Sequence, residues 1–374
     1  MVVLNELLRI SRFKVLALLV FLASNLSHAF TLKEVGRIDI DAEAQVYGLH
    51  SGNIVIEEKE RLLFLDRRYQ VRAEIAVDSG HQVLVADNGL YYAFIDRASG
   101  GDDSADTRVT VYDNRQRPLW GAADLMPGRY FLSPSGDYLA VITGHPRWYD
   151  NELVIFHRDR PLANYKIEFF SGIVFSPDGE YLFIDAGPKG SFMFTGGGRL
   201  MGQYGPQSSY AFTGESDRLV LFRQGMVRIY DGDEEKVAID LKKINLSDMI
   251  YSESESRLVL AYSDVMKVVD RFDGSVVWEV TPERSGGSFV SIDISPDSRF
   301  IAAGVDINLG STVEGHLRHV RGFLHVYDID GRAFDALEFR YERYFPGLPE
   351  VVFAPDQRSI FVRNRESLHI VELR

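Results

Sequence analysis

Apolar residues come in short runs separated by turn residues, from about residue 30 to the end of the chain. Four segments repeat one phrase with little change, namely FLSPSGDYLAV from Phe131, VFSPDGEYLFI from Val174, ISPDSRFIAA from Ile294 and FAPDQRSIFV from Phe353. In each segment a proline presets φ for a tight turn, and Asp, Ser, Gly or Gln follows it. Apolar residues flank the turn over strand-like lengths, and no long helical periodicity is visible. The pattern predicts a series of β-hairpins.

The hairpins recur at a regular spacing. Two degenerate copies, AFTGESDRLVLF from Ala211 and YSESESRLVLA from Tyr251, stand between the regular ones. The turn positions are 43, 37, 39, 43 and 59 residues apart, at Pro134, Pro177, Gly214, Glu253, Pro296 and Pro355. A period near 40 residues with four short strands per unit is typical of a β-propeller. The predicted units are 45–77, 81–122, 129–168, 171–205, 209–242, 247–281 and 288–340.

An eighth unit begins at Glu350 and has only three strands before the chain stops at Arg374. The segment Val35–Asp41 precedes the first complete unit and has the pattern of a strand. If it pairs with the last three strands, it completes the blade and removes an exposed sheet edge. We therefore predict an all-β, eight-bladed β-propeller that is closed by its N-terminal strand. Seven blades is the alternative, because the first two units are the least regular.

The first 29 residues have the pattern of a signal peptide. Arg9, Arg12 and Lys14 form a basic region, the apolar run 15–23 follows, and Ser27-His28-Ala29 offers small residues at a cleavage site. An uncleaved membrane anchor would need about 20 apolar residues, which this run does not reach. We expect cleavage after Ala29, a single propeller domain over 30–374 and a periplasmic or secreted protein without a transmembrane segment in the mature chain.

Charge and cysteine content narrow the classes of partner. The chain has a formal net charge of −13. Removing residues 1–29 takes away three basic residues and one acidic residue, which leaves −15. This acidity argues against nucleic acid, whose phosphates require a basic surface, and against anionic lipid. The absence of cysteine excludes disulfides, thiolate metal sites and a cysteine nucleophile.

Two phrases carry a resemblance to known repeats. SPDGEYLF, from Ser176, resembles the WD40-like repeats of bacterial exported propellers, and Asp270-x-x-x-Gly274-x-x-x-Trp278 resembles the quinoprotein-type repeat. The second resemblance implies that Trp278 docks between neighbouring blades. Quinone-dependent dehydrogenases of this type carry vicinal cysteines, which this chain lacks, and we expect no cofactor. The eight-bladed propellers of the outer-membrane assembly machinery are similar in size, but they are lipoproteins and this chain has no cysteine to lipidate.

Long connections are expected on one face of the propeller. Strands alternate in direction, so the second-to-third-strand connections and the connections between blades share a face, and all the long polar segments fall there. Long loops on a rigid scaffold commonly bind partners, and Arg and aromatic residues are enriched at binding hot spots. The candidate binding residues on this face are His145, Arg147, Trp148, Tyr149, His316, Arg318, His319, Arg321, Arg340 and Tyr344. The alternative is that the aromatic residues pack their own loops and the arginines are solvated.

Catalytic patterns are weak. The chain has no Gly-x-Ser-x-Gly elbow and no phosphate-binding glycine loop. His316 and His319 have an HxxH spacing on a loop but no acidic third ligand nearby, so we expect no metal site. The sequence therefore predicts a non-catalytic binding or scaffold propeller that engages a protein or another envelope macromolecule. A propeller hydrolase or lactonase with a site at the channel mouth is the alternative; the oligomeric state stays open.

Overall fold

The computed structural model describes residues 31–78, 81–97, 107–144, 151–207, 209–212, 218–241, 246–252, 256–282, 287–307, 320–341 and 349–374. Within these residues the chain forms 32 β-strands and one 3-10 turn, Gly187–Lys189. The strands make eight four-stranded sheets, each antiparallel throughout. The eight-bladed propeller is thus confirmed, and the seven-bladed alternative is wrong. The predicted signal peptide, residues 1–29, lies outside the described residues.

Seven blades are built from consecutive strands, and the first strand of the chain, β1 (Leu32–Asp39), stands apart from them. Blades one and two contain β2 (Gln45–Tyr47), β3 (Val55–Glu58), β4 (Arg61–Leu65), β5 (Val71–Ala76), β6 (His81–Val85), β7 (Tyr91–Arg97), β8 (Thr107–Asp113) and β9 (Pro118–Leu125). Blades three and four contain β10 (Gly128–Leu132), β11 (Tyr138–Thr143), β12 (Asn151–His157), β13 (Arg160–Ile167), β14 (Gly172–Phe175), β15 (Tyr181–Asp185), β16 (Ser191–Thr195) and β17 (Leu200–Tyr204).

The remaining blades follow the same order. Blades five and six contain β18 (Ser209–Phe212), β19 (Arg218–Arg223), β20 (Met226–Asp231), β21 (Glu234–Asp240), β22 (Asp248–Ser252), β23 (Arg257–Ala261), β24 (Met266–Asp270) and β25 (Val276–Val280). Blades seven and eight contain β26 (Gly287–Ile294), β27 (Phe300–Ile307), β28 (Val320–Asp328), β29 (Ala333–Tyr341), β30 (Glu350–Phe353), β31 (Ser359–Arg363) and β32 (Ser367–Leu373). The predicted units match blades one to seven to within three residues at each end.

The eighth blade is completed by β1, as predicted. β1 runs antiparallel to β32, with Leu32 opposite Leu373 and Asp39 opposite Ser367. Just beyond this pairing, Thr31 N donates to Arg374 O at 2.8 Å and Arg374 N donates to Thr31 O at 3.0 Å. The N-terminal strand therefore occupies the outer position that the last three strands leave open, and β32 is paired on both sides.

Every blade carries a β-bulge at the same place in its outer strand. At this place one residue of the fourth strand has no partner on the third strand; these residues are Val35, Arg72, Leu119, Leu162, Met201, Lys236, Val277 and Phe334. Blade two has a second register shift at the other end of its fourth strand. A bulge increases strand twist and makes an edge a poorer template for another chain. Because β1 shares this bulge, it is the fourth strand of the same repeat despite its distance along the chain.

The core is divided among the junctions between blades. Eight clusters of buried apolar residues are present in the described part of the chain, and each draws its members from two neighbouring blades. The second strands face a cluster on both sides; all eight residues of β27 are buried, for example. First strands of consecutive blades contact one another around the axis, such as β22 with β26 and β26 with β30. Each blade is therefore stable only against its neighbours.

Aromatic side chains on the outer strands of blades two, three and six donate hydrogen bonds to the blade that follows. Trp278 Nε1 donates to Ile329 O of blade seven at 2.8 Å, as the resemblance to quinoprotein-type repeats implied. Trp120 Nε1 donates to Gly136 O of blade three at 2.8 Å, a contact that the sequence did not indicate. Tyr165 makes the corresponding hydrogen bond to blade four with its hydroxyl, at 2.8 Å from Gly198 O.

Candidate functional site

The order of the strands places the ends of all long segments on one face. Segments 98–106, 145–150 and 308–319 join second to third strands, and 283–286 and 342–348 join one blade to the next. We call this side the long-loop face. The opposite side, the short-turn face, carries the first-to-second and third-to-fourth turns, such as Ser176–Gly179, which is closed by Gly179 N donating to Ser176 O at 2.8 Å.

Most candidate binding residues lie outside the described residues. These are His145, Arg147, Trp148 and Tyr149 of blade three, His316, Arg318 and His319 of blade seven, and Tyr344 of the connection to blade eight. Their role stays a prediction. The strands that flank them end on the long-loop face.

Arg321 and Arg340 are described, and they share one carboxylate. They stand directly opposite each other on β28 and β29. Arg340 Nε lies 3.2 Å from Glu338 Oε1, and Arg321 Nε lies 3.5 Å from the same oxygen. Glu338 offsets the repulsion that two opposed cations would otherwise produce. One positive charge remains in excess, and the Arg340 side chain is 74% exposed, so a guanidinium fork is available to an anionic group.

A second cationic feature of this face was missed in the sequence. Arg129, on the inner strand β10, is exposed, and its Cζ atom lies 5.8 Å from the ring centroid of Phe170. Phe170 lies in the connection from blade three to blade four and meets Phe131 edge-on, with ring centroids 5.8 Å apart. No carboxylate of the described residues forms an ion pair with Arg129. The signal that could have revealed this cluster is the aromatic pair Phe169-Phe170 in a segment between blades.

A polar cavity of about 380 Å³ lies between blades one and two. Burial raises the pKa of Glu57, and a hydrogen bond from the Tyr47 hydroxyl, 2.9 Å from Glu57 Oε2, partly opposes this shift. Glu58 is held by Arg61 and by Asp41 N, which donates to Glu58 Oε1 at 3.3 Å. The long-loop face therefore has an acidic sector at blades one and two. The residues that line the cavity are Glu43, Gln45, Glu57, Glu58, Lys59, Val77, His81, Gln82 and Val83.

The described residues offer little for catalysis. Nowhere among them do three or more His, Asp or Glu side chains come together in a way that could hold a metal ion. The nearest His–carboxylate pair at the channel is His50 and Asp293, with Nδ1 3.7 Å from Oδ2. Ser51, beside His50, directs its hydroxyl to the main-chain oxygens of Gly48 and Asn88 at 3.0 and 2.5 Å. No activated nucleophile is present at this pair.

No helix within the described ranges has the length and apolar character needed to cross a membrane.

Comparison with known proteins identifies the fold. No protein-family model matches the chain, and no curated protein matches it. Among solved structures, the C-terminal WD40 domain of Sif2 is similar with a TM-score of 0.62 and 12% identity over 92% of this chain and 98% of that one. BamB from Moraxella catarrhalis is similar with a TM-score of 0.53 and 14% identity over 92% of this chain and 100% of that one. A eukaryotic initiation factor matches at a TM-score of 0.52 and 12% identity, over 81% of this chain and 89% of that one. The chain is an eight-bladed β-propeller with WD40 and BamB-like structural neighbours.

Proposed function

We propose that this protein is a non-catalytic scaffold that binds a protein partner through its long-loop face. One observation carries the proposal: the strand order places the ends of the long connections on one face, with Arg129, Arg321 and Arg340 beside them, whereas the other face carries short turns. A rigid ring that presents long segments in one direction suits recognition of a large surface. The WD40 and BamB neighbours support an interaction scaffold at the level of the fold, which alone does not define function.

The proposed binding surface combines described and undescribed residues. Arg129, Arg321 and Arg340 supply cationic groups, and Phe170 supplies an apolar side chain beside one of them. His145, Arg147, Trp148 and Tyr149 join this surface from blade three, and His316, Arg318, His319 and Tyr344 join it from blade seven and the connection that follows. Arg and aromatic residues in such a mixture are the types that dominate binding energy at interfaces.

We further propose that the protein acts in the cell envelope or outside the cell, after removal of residues 1–29. The basic region, the apolar run and the small residues that end at Ala29 support this. Protein purified from the envelope fraction is expected to begin at Phe30. N-terminal sequencing checks the expectation, and a mature protein that begins at Met1 would contradict it.

The binding proposal is tested with two matched triple variants. Arg129→Ala, Arg321→Ala and Arg340→Ala remove three cations from the long-loop face, whereas Arg67→Ala, Arg68→Ala and Arg358→Ala remove three from the short-turn face. Both triple variants change the net charge equally, so any difference in partner binding between them reflects the face on which the arginines lie. Partners are captured from envelope extract by cross-linking and identified by mass spectrometry. The long-loop variant should lose the partners of the wild-type protein, since truncating a hot-spot residue weakens binding by about 2 kcal/mol or more.

The second variant is the control and should retain those partners. If it loses them while the long-loop variant keeps them, the short-turn face is the binding surface. A companion variant, with Arg147, Trp148 and Tyr149 replaced by alanine, tests the undescribed part of the surface. Circular dichroism melting curves check that every variant stays folded.

A further inference from the structure

Two inner-strand carboxyl groups bridge consecutive blades. Ile292 N of blade seven donates to Asp248 Oδ2 of blade six at 2.9 Å. Phe353 N of blade eight donates to Asp293 Oδ2 of blade seven at 2.6 Å. An inner strand pairs with a strand of its own blade on one side only. The main-chain N–H groups on its other edge therefore need other acceptors when they are buried. The two aspartates supply these acceptors across both junctions of blade seven.

A third side chain does the same with a neutral group. Val351 N of blade eight donates to Ser291 Oγ at 3.0 Å, and Ser291 Oγ donates to Pro349 O at 2.8 Å. A hydroxyl therefore suffices to satisfy an inner-strand amide at this junction. The two aspartates add something that hydrogen bonding alone does not require, which is the ability to bind a proton.

The charges of the two aspartates are poorly compensated. Asp293 is only 3% exposed, and it lies beside the His50 imidazole, whose Nδ1 is 3.7 Å from Asp293 Oδ2 and whose side chain is 72% exposed. Asp248 faces another acid, Glu350, which is itself paired with Arg363 at 3.3 Å. Asp248 and Asp293 also repel each other when both are ionised. Asp293 is buried and Asp248 is half-buried, and removing a carboxylate from water without a close cation is costly.

Burial raises the pKa of Asp293 to about 6, although His50 and the amides of Phe353 and Ile294 act in the opposite direction. Burial likewise raises the pKa of Asp248 to about 6, against the amides of Ile292 and Met249. Both oxygens of Asp248 accept a main-chain amide, Oδ1 from Met249 N at 2.8 Å and Oδ2 from Ile292 N at 2.9 Å. The hydroxyl oxygen of a protonated carboxyl keeps a weaker acceptor capacity, so protonation removes the charge without removing the acceptors. Since the folded state holds these protons more tightly than the unfolded state, stability falls as pH rises through about 6.

We propose that the junctions of blade seven with blades six and eight are pH-sensitive. Asp248 and Asp293 take up protons on mild acidification, and the loss of charge stabilises the contacts between the inner strands. Near neutrality both groups release their protons, and the uncompensated charges weaken the two junctions. This inference concerns the scaffold and does not depend on the proposed binding function.

Hydrogen exchange of the two bridged segments, β26 and β30, tests the proposal. Peptides that contain Ile292 and Phe353 are followed by mass spectrometry at pH 5.5 and 7.5, and rates are expressed as protection factors so that the intrinsic effect of pH cancels. Protection in the wild-type protein should fall by roughly tenfold at the higher pH. The double variant D248N/D293N removes both charges and keeps one acceptor oxygen at each position. Its protection should therefore change by less than about twofold between the two pH values, whatever its absolute level.

Asp306→Asn is the matched control. Burial raises the pKa of Asp306 to about 6 as well, but this residue lies on β27 and bridges no inner-strand amide among the described residues. The control removes the pH-dependent contribution of Asp306 and keeps that of the two bridging aspartates, so its fall in protection should clearly exceed that of the double variant. Equal protection of the wild-type protein at both pH values would overturn the proposal, as would an unchanged fall in the double variant. If the double variant does not fold, carboxyl ¹³C NMR of the wild-type protein decides, because two aspartates that titrate below about pH 5 would also overturn it.

Discussion

Single side chains set the distance and angle between neighbouring blades. Trp278 shows how this works: its indole reaches the turn of the next blade, where Gly331 has a φ of +92°. A Cβ atom on Gly331 would lie 2.8 Å from the indole ring, so the ring occupies the space that a side chain would fill. The hydrogen bond and the close packing therefore depend on both residues.

We expect Trp278→Phe to lower the free energy of unfolding by about 1 kcal/mol, because it keeps an aromatic ring and removes the N–H donor to Ile329. Gly331→Ala should be more damaging, since it adds a steric clash to a conformation that disfavours a Cβ atom. Urea unfolding measures both. Phe272→Ala, an exposed change in the same blade, should stay within about 0.5 kcal/mol of wild type. If Trp278→Phe is as stable as that control, the indole hydrogen bond does not contribute.

The sequence predicted part of this residue-scale picture. Trp278 stands in a recognisable spacing with Asp270 and Gly274, so its docking could be anticipated. Trp120 has no such spacing around it and depends for its position on the bulge at Leu119. Arg129 and Phe170 were missed because they come from different elements, β10 and the next connection between blades. Contacts of this kind depend on three-dimensional register, which local pattern does not encode.

At the scale of the element, the repeat is a hairpin phrase followed by two less conspicuous strands. The hairpin could be predicted from the sequence because turns with proline and glycine recur at a regular spacing. The eight bulges could not be predicted from the sequence, because a register shift changes which residues pair but leaves the alternation of residue types unchanged. β1 was predicted from the deficit of one strand at the C-terminus, an argument from counting and edge protection that its bulge at Val35 now supports.

Buried polar contacts reinforce the pairing of β1 with β32. His369 is 6% exposed, and its Nδ1 lies 3.0 Å from Glu34 Oε1. Its Nε2 lies 2.9 Å from Ser367 Oγ and 3.0 Å from Asn364 Nδ2. The ring of Phe339 packs against the imidazole, with centroids 4.8 Å apart. The closure is therefore specific to this strand and does not rest on main-chain pairing alone.

Deletion of residues 30–41 should destabilise the whole ring, because it exposes the edge of β32 and leaves His369 without its carboxylate partner. The expected result is a fall of several degrees in the melting temperature together with concentration-dependent association. His369→Leu is a milder test and should lower the free energy of unfolding by about 1–3 kcal/mol, since Glu34 loses its partner. A truncated chain that melts within a degree of the intact one and stays monomeric would contradict the closure mechanism.

At the scale of the whole molecule, the ring separates stability from recognition. Its eight core clusters lie between blades, whereas the long segments leave the ring on one face. The sequence could assign those segments to a face, because alternation of strand direction fixes which connections lie together. It could not indicate how charge is distributed across the face. The structure has an acidic cavity between blades one and two, and exposed arginines with an excess of positive charge at blades three and seven. That distribution follows from which blades become neighbours.

The hydrogen bonds between Thr31 and Arg374 have a consequence for how the protein can be handled. These residues meet where a third-to-fourth-strand turn would stand, so both open toward the short-turn face. A short linker from residue 374 to residue 31 would make the last blade a continuous hairpin, and new ends could be opened at the turn between Asp66 and Gln70. In the protein without that linker, a surface attached through residue 31 or residue 374 would lie on the short-turn side of the ring. The long-loop face would point away from this surface and stay accessible to a large molecule.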